Sequence, residues 1–234
     1  MINELLNQQN SIRKNAGFLN IKNIIAISVL ILLVCFGAFY VRYTWLESKN
    51  RTTSEVLKEA YAIEVSLNGK ELTQLRGVPT DNNTQTYKDM KTKLMALINV
   101  YYEARFIYFY TKVDGKLFFM VDSEPTQSKD CSPAGQEYTE EDPEARIPFE
   151  SGKSLITKPA TDRWGTWVSV LVPVKNSETG KVVAVLGIDY PADKWLNEAK
   201  LAVAESSIVV FTFVLLLMAI YIILKKNSSL NIHN

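Results

Sequence analysis

The residues of this chain that could do chemistry favour binding over catalysis. Among its 234 residues there is one histidine, His233, which lies one position before the C-terminus. That placement removes most histidine-based catalysis and histidine-rich metal sites. The two cysteines, Cys35 and Cys131, cannot supply a disulfide framework, and the sequence contains no recognisable nucleophile elbow or phosphate-binding loop. We therefore expect no catalytic residue, no metal site and no cofactor.

A second set of residues suits the binding of a small molecule. Arg105 carries a planar guanidinium that can hold a carboxylate through two hydrogen bonds, and Asp162 and Asp189 could accept hydrogen bonds from a ligand ammonium. Each has an ordinary alternative, because the arginine could be ion-paired and the aspartates could cap a turn or end a strand. The predicted ligand-binding residues are Arg105, Tyr108, Tyr110, Asp122, Asp162, Trp164, Trp167 and Asp189.

The aromatic members of this set follow the period of a β-strand. Tyr108 and Tyr110 fall on one strand face with Phe106, while Ile107 and Phe109 fall on the other. One face should line a pocket and the other should pack on helices. Tyrosine suits a pocket because it combines an apolar ring with a hydroxyl, and the two tryptophans would shape the cavity. Plain core packing is the alternative for each ring.

Two uncharged apolar runs lie near the ends of the chain, at Ile24–Val41 and Ile208–Leu224. A helix of 18 residues, the length of the first run, covers roughly 27 Å, close to a hydrocarbon core of about 30 Å. We predict transmembrane helices at 23–44 and 206–224. The alternatives are a buried core helix for either run and a cleaved signal peptide for the first.

The charges beside these runs predict the orientation in the membrane. Arg13, Lys14 and Lys22 precede the first run, and Lys225 and Lys226 follow the second, so the positive-inside rule places 1–22 and 225–234 in the cytoplasm. The block 45–205 should then lie outside the cytoplasm of a two-pass cell (inner) membrane protein. This block carries 20 Lys and Arg against 24 Asp and Glu, which argues against nucleic acid as a partner.

Helical periodicity begins the middle block. A predicted helix over Leu46–Leu75 carries one apolar stripe, Val56, Ala60, Ile63 and Leu67, and this stripe suggests a homodimer through the helix. A second helix is predicted over Gln85–Ala104. Later in the chain, Ala192–Glu205 should form a last helix that continues into the second apolar run.

Strand patterns fill the rest of the block. Four strands are predicted, in two hairpins joined by a long polar connection over 123–163; they are Arg105–Val113, Lys116–Asp122, Trp164–Lys175 and Lys181–Asp189. Antiparallel strands with helices on one face form an α+β layer. The connection must cross the other face, and a covered, concave sheet is a natural small-molecule pocket.

The same segments resemble a known family. The element order and four sequence stretches look like a Cache (PDC) sensor domain over Ser54–Trp195; the stretches are RFIYFYTKVDGKLFFMVDSEP, PAGQEY, TDRWGTW and GKVVAVLGIDY. The resemblance implies a PAS-like fold of the single-pocket form, outside the cytoplasm, in bacterial and archaeal receptors. Amino-acid sensors of the family carry an Arg-x-Trp-Tyr element and two later aspartates. Arg105 to Tyr108 resembles that element, with Ile107 in place of its Trp, and Asp162 and Asp189 resemble the aspartates.

The resulting functional hypothesis is a transmembrane signal-transduction receptor. Its Cache domain would bind an organic acid, an amino acid or an amine and transmit through helices embedded in the lipid bilayer. Only ten residues, Lys225–Asn234, follow the second run, so a kinase or other output would lie in a missing C-terminal part or in a cytoplasmic partner. The alternative is a membrane-anchored interaction module that recruits a partner protein instead of a small ligand.

Overall fold

The computed structural model describes residues 21–67 and 69–230, which divide into two compact units. One unit is 47–201, and the other comprises the described parts of 1–46 and 202–234. Parts of two predicted segments lie outside the described residues. They are most of the cytoplasmic segment 1–22 and the last four residues of the tail 225–234, which include His233.

Two long helices carry the apolar runs. Helix α1 spans Ile21–Ser66 and helix α5 spans Ala192–Leu230. Their stretches Ile27–Ser66 and Ala192–Ile223 are long and apolar enough to cross a membrane. Only 6% of the most apolar window of each stretch is buried within the chain, which contradicts the alternative of a buried core helix. The orientation in a membrane stays a prediction.

The unit 47–201 is built on one antiparallel sheet. Its strands are β1 Phe106–Val113, β2 Lys116–Asp122, β3 Leu155–Ile156, β4 Ala160–Thr161, β5 Thr166–Lys175 and β6 Val182–Pro191. They are ordered β2-β1-β6-β5-β3, with β4 also paired to β5. The prediction of an α+β, PAS-like antiparallel sheet with a long N-terminal helix is confirmed. The two short strands lie inside the predicted long connection, which therefore attaches to the edge of the sheet.

Helices cover one face of this sheet. They are α1, the short helix α2 at Gly69–Leu72 and α3 at Gln85–Val100. A core cluster joins them to Ile107 and Phe109 of β1, the strand face predicted to meet helices. The long connection forms a short 3-10 helix at Pro143–Arg146 and helix α4 at Ile147–Ser151.

The stripe that suggested a dimer lies inside this core. Val56, Ala60, Ile63 and Leu67 are 0–7% exposed within the single chain. The apolar face of the sheet needs a cover, and the stripe supplies it, so it leaves no apolar surface for a second copy. The argument for a homodimer through this stripe is therefore wrong, and a homodimer by another surface stays a prediction.

The start of the long connection is anchored to the segment before α3. Asp81 accepts backbone hydrogen bonds from Arg76 and Val78 at 2.7 and 3.2 Å, which fixes the turn. Asn82 then exchanges two hydrogen bonds with the backbone of Ala134, each 3.1 Å long. Gly135 lies against Pro79 at φ 86°, where a side chain would clash. The PAGQEY element then pairs with the free edge of β2, where the backbone N–H groups of Gly135 and Tyr138 donate to the carbonyls of Phe119 and Leu117 at 3.0 and 2.8 Å.

Candidate functional site

A cavity lies between the sheet and the long connection, on the face opposite α1 and α3. β1 contributes Phe106 and Tyr108, β6 contributes Asp189, and the connection supplies most of the rest. The lining residues are Phe106, Tyr108, Phe119, Asp122, Asp130, Ser132, Tyr138, Asp162, Trp164 and Asp189. Five of the eight predicted ligand-binding residues are therefore brought together here: Tyr108, Asp122, Asp162, Trp164 and Asp189.

Aromatic rings form the walls of this cavity. Phe119 is in contact with Tyr138 at 4.7 Å between ring centroids, and with Tyr108 and Trp164 at 5.6 and 6.2 Å, both edge-on. The rings leave little room, because the space open to the centre of a water-sized molecule is about 20 Å³. That space holds roughly one water. The cavity is too small to hold an organic ligand in this conformation.

Asp189 is the least compensated acid in the cavity. It is 5% exposed, and its carboxylate accepts a hydrogen bond from the Tyr108 hydroxyl at 3.2 Å and another from the Ser169 side chain. Burial, with a smaller contribution from the charge of Asp162, raises the pKa of Asp189 to about 7 against those two hydrogen bonds. Among the described residues it forms no ion pair. A buried carboxyl group with such a shift is typical of functional sites.

Asp162 organises the turn before β5. Its Oδ1 accepts hydrogen bonds from the backbone of Trp164 and Gly165 at 2.8 and 3.0 Å and from Trp167 Nε1 at 3.0 Å. The turn-cap interpretation is therefore correct. Asp162 also lines the cavity, so a ligand role stays a prediction beside the structural one.

The other two acids are already paired with cations. The Asp122 carboxylate lies 2.5 Å from Lys91 Nζ and accepts the backbone N–H of Ser132 at 2.5 Å. Asp130 lies 3.1 Å from Arg105 Nη2. Both carboxylates already have a cation beside them, whereas Asp189 has none among the described residues. Asp189 is therefore the group best placed to attract a ligand cation.

Three predicted residues lie outside the cavity lining. Arg105 pairs with Glu124 and Asp130, and its guanidinium lies 4.1 Å from the ring centre of Phe106. Tyr110 is buried and donates to the Ala145 carbonyl at 2.8 Å. Trp167 packs edge-on against Phe106 at 5.3 Å. Their ligand-binding roles stay predictions, and the ion-paired alternative for Arg105 matches what is seen.

Five lining residues were absent from the predicted ligand-binding set: Phe106, Phe119, Asp130, Ser132 and Tyr138. Phe106 had been placed on the same strand face as Tyr108. A signal existed for Phe119, since a two-residue turn at Asp114-Gly115 places it opposite Tyr110, as observed. Tyr138 closes the PAGQEY element. Asp130 and Ser132 belong to an irregular segment, where no periodicity shows which side chains turn inward.

No protein-family model matches the chain, and no curated protein does. The ligand-binding domain of the Campylobacter jejuni chemoreceptor Tlp3 in complex with L-norvaline aligns at 12% identity and a TM-score of 0.46, over 72% of this chain and 63% of that one. The periplasmic domain of RsbU from Chlamydia trachomatis aligns at 14% identity and 0.44, over 74% and 59%. These similarities bear on the fold of this chain alone. The chain spans less than two thirds of the length of either structure.

An enzyme is also among the similar structures. A type II free methionine-R-sulfoxide reductase from Thermoplasma acidophilum aligns at 14% identity and a TM-score of 0.34, over 52% of this chain and 91% of that one. At such TM-scores and identities, the ligands and activities of these proteins do not transfer to this chain. Its function has to be argued from its own site.

Gly187 provides a first test of how the cavity is built. A Cβ atom at this position would lie 2.5 Å from Cζ of Tyr108 and 2.9 Å from its hydroxyl. We expect Gly187→Ala to displace that ring and to lower the free energy of unfolding by about 1–3 kcal/mol, as overpacking does. Urea unfolding followed by tryptophan fluorescence measures the change. Gly69→Ala is the control, since its new Cβ would meet only Val174, at 3.5 Å; equal losses in the two variants would contradict the tight contact.

Proposed function

We propose that residues 47–201 form an extracytoplasmic sensor domain that binds a small organic amine. The observation that carries this proposal is Asp189, a buried carboxyl group with hydrogen-bond donors but no cation, at one wall of an aromatic cavity. A ligand ammonium would supply the missing positive charge. Aromatic faces such as those of Tyr108 and Trp164 also attract cations.

The charges of the cavity favour an amine over an organic acid. Its titratable lining residues are four aspartates and two tyrosines, and no lysine or arginine lines it among the described residues. The nearby Arg105, which could have held a carboxylate, is occupied by Glu124 and Asp130. An incoming carboxylate would therefore have to displace those partners and approach Asp189 against its charge.

Binding of an amine requires the cavity to widen. The space of about 20 Å³ is smaller than any organic amine, so the ring of Tyr138 or the adjoining connection has to move. Asp189 is three residues before the start of α5, so a shift at this end of β6 is passed directly to that helix. A ligand can produce such a signal only if it binds the widened conformation more tightly than the present one.

The remaining parts of the proposal concern the membrane. Helices at 23–44 and 206–224 would cross the bilayer with both ends of the chain in the cytoplasm. A homodimer and a cytoplasmic output partner such as a kinase would complete the receptor. A protease-accessibility map of membrane vesicles tests the topology, and cleavage of the 45–205 block from the cytoplasmic side would contradict it.

The ligand class is tested on the full chain in lipid nanodiscs by isothermal titration calorimetry. We expect ethanolamine or putrescine to bind and acetate and succinate not to bind. Asp189→Asn should weaken amine binding by about 10–100-fold, which corresponds to the loss of a charged hydrogen bond worth about 1.5–3 kcal/mol. Asp114→Asn, in the exposed β1–β2 turn, removes the same charge elsewhere and should leave affinity unchanged.

Two results would overturn the proposal. One is binding of the acids without binding of the amines. The other is equal amine affinity in Asp189→Asn and Asp114→Asn.

A further inference from the structure

A second cavity lies at the C-terminal end of β6, on the side of the sheet opposite the Asp189 cavity. It has a volume of about 380 Å³ and is lined by residues 52–59 of α1, by the loop after α3 and by residues 190–201 at the start of α5. That volume falls within the range of small-molecule sites. All of these residues belong to the unit 47–201.

Tyr190 is the unusual group in this cavity. It follows Asp189 on β6, so its side chain points to the other face of the sheet, and it lines the second cavity while Asp189 lines the first. Tyr190 is 5% exposed, yet its buried hydroxyl has no hydrogen-bond partner. Buried hydroxyls without partners are rare because leaving one unpaired costs free energy. A ligand that hydrogen-bonds this hydroxyl would remove that cost.

Carboxylates share this cavity with the hydroxyl. Glu59 and Glu103 both line the cavity, and neither forms an ion pair among the described residues. Burial, followed by repulsion from Glu103 and Glu55, raises the pKa of Glu59. Glu55 is paired with Arg51 at 2.9 Å, and Lys194 is the basic residue in the lining. The cavity therefore keeps an excess of negative charge that favours a cation.

Aromatic rings complete the lining. Trp195 and Tyr102 both line the cavity, and the Trp195 ring lies 5.8 Å from that of Tyr190. Such rings bind organic cations through their faces. The described residues hold no cluster of three or more metal-ligating side chains, so the lining suits an organic cation rather than a bare metal ion.

We propose that the second cavity binds a primary ammonium group, with Tyr190 Oη and the carboxylates of Glu59 and Glu103 as acceptors and Trp195 as an aromatic wall. The tyrosine hydroxyl oxygen accepts one ammonium N–H and so gains the hydrogen-bond partner that it lacks. Two sources share this chemistry, a free amine and the ethanolamine headgroup of a lipid. The site does not depend on the function proposed for the Asp189 cavity.

The test uses the full chain carrying Asp189→Asn, so that the first cavity is disabled. Ethanolamine is titrated into the protein in phosphatidylglycerol nanodiscs, and thermal unfolding is compared between phosphatidylglycerol and phosphatidylethanolamine nanodiscs. We expect free ethanolamine or the ethanolamine lipid to raise the melting temperature. Binding of free ethanolamine identifies a soluble source, and an effect of the lipid alone identifies the headgroup. If neither free ethanolamine nor the ethanolamine lipid raises the melting temperature, the proposal is overturned.

Amino-acid substitutions test whether the rise in melting temperature comes from amine bound in this cavity. Tyr190→Phe deletes only the hydroxyl, so the melting temperature without amine should stay the same or rise. The affinity for the amine should fall about 5–10-fold, which corresponds to the loss of one hydrogen bond. Glu59→Gln and Glu103→Gln should weaken it similarly. Glu64→Gln is the matched control, because Glu64 lies on the same helix but lines a different cavity. An amine effect that Tyr190→Phe leaves unchanged would overturn the assignment.

Discussion

Replacing Lys91 by methionine is expected to destabilise the unit 47–201 strongly. The Lys91 and Asp122 side chains are 7% and 6% exposed, and their charged atoms lie 2.5 Å apart. Burial alone would lower the pKa of Lys91, but the hydrogen bond and charge of Asp122 outweigh it and raise that pKa. Removal of the lysine leaves a buried carboxylate without its cation, which costs about 3–5 kcal/mol.

Lys93 is the matched control on the same helix. It also pairs with a carboxylate, Glu71 at 2.7 Å, but those two side chains are 42% and 36% exposed. Exposed pairs contribute about 0–1 kcal/mol, so Lys93→Met should cost little in urea unfolding of the full chain. The double variant Lys91→Met with Asp122→Asn should recover part of the lost stability, because the amide carries no charge and its oxygen can still accept the Ser132 N–H. Equal losses for Lys91→Met and Lys93→Met would contradict this account.

Much of the fold was predictable because the spacing of apolar residues along the sequence indicates which side chains are buried. The alternation over Phe106–Tyr110 separated the helix-facing from the cavity-facing side chains, and both sets lie where predicted. The stripe on α1 was recognised, but its partner was misjudged. An apolar stripe shows that a helix face is buried and does not show whether the cover is a second copy or the chain's own sheet.

The candidate site was predictable where strands carry it and not where loops do. Asp189 and Tyr108 come from strands, whose faces follow from their spacing. The neighbour of Tyr108 on β2 is Asp122 because of a β-bulge between Phe109 and Tyr110, and such a bulge leaves no mark in the sequence. Arg105 illustrates another limit, since its partners Glu124 and Asp130 come from the irregular connection. The sequence supplied the type of each group but not its partners.

Asp189 should make the stability of the unit fall as the pH rises. Its pKa is about 7 in the folded protein, against an ordinary value of 3.8. Between those values the folded state keeps a proton that the unfolded chain has lost, so the stabilisation is complete below pH 4 and is lost as the pH rises through 7. The expected loss is on the order of 4 kcal/mol by the cost of about 1.4 kcal/mol per pKa unit.

Urea unfolding at pH 5 and pH 8 measures this loss, with Asp189→Asn as the reference. The amide has a similar shape but does not titrate. Wild type should therefore lose about 3 kcal/mol more than the variant between pH 5 and pH 8, because the rest of the loss occurs below pH 5. A parallel response of the two proteins would show that the carboxyl group is ionised throughout. A bound amine reverses the trend, because it holds the carboxylate in its charged form. Added amine should therefore stabilise wild type more at pH 8 than at pH 5, whereas a ligand that binds the protonated acid would show the opposite order.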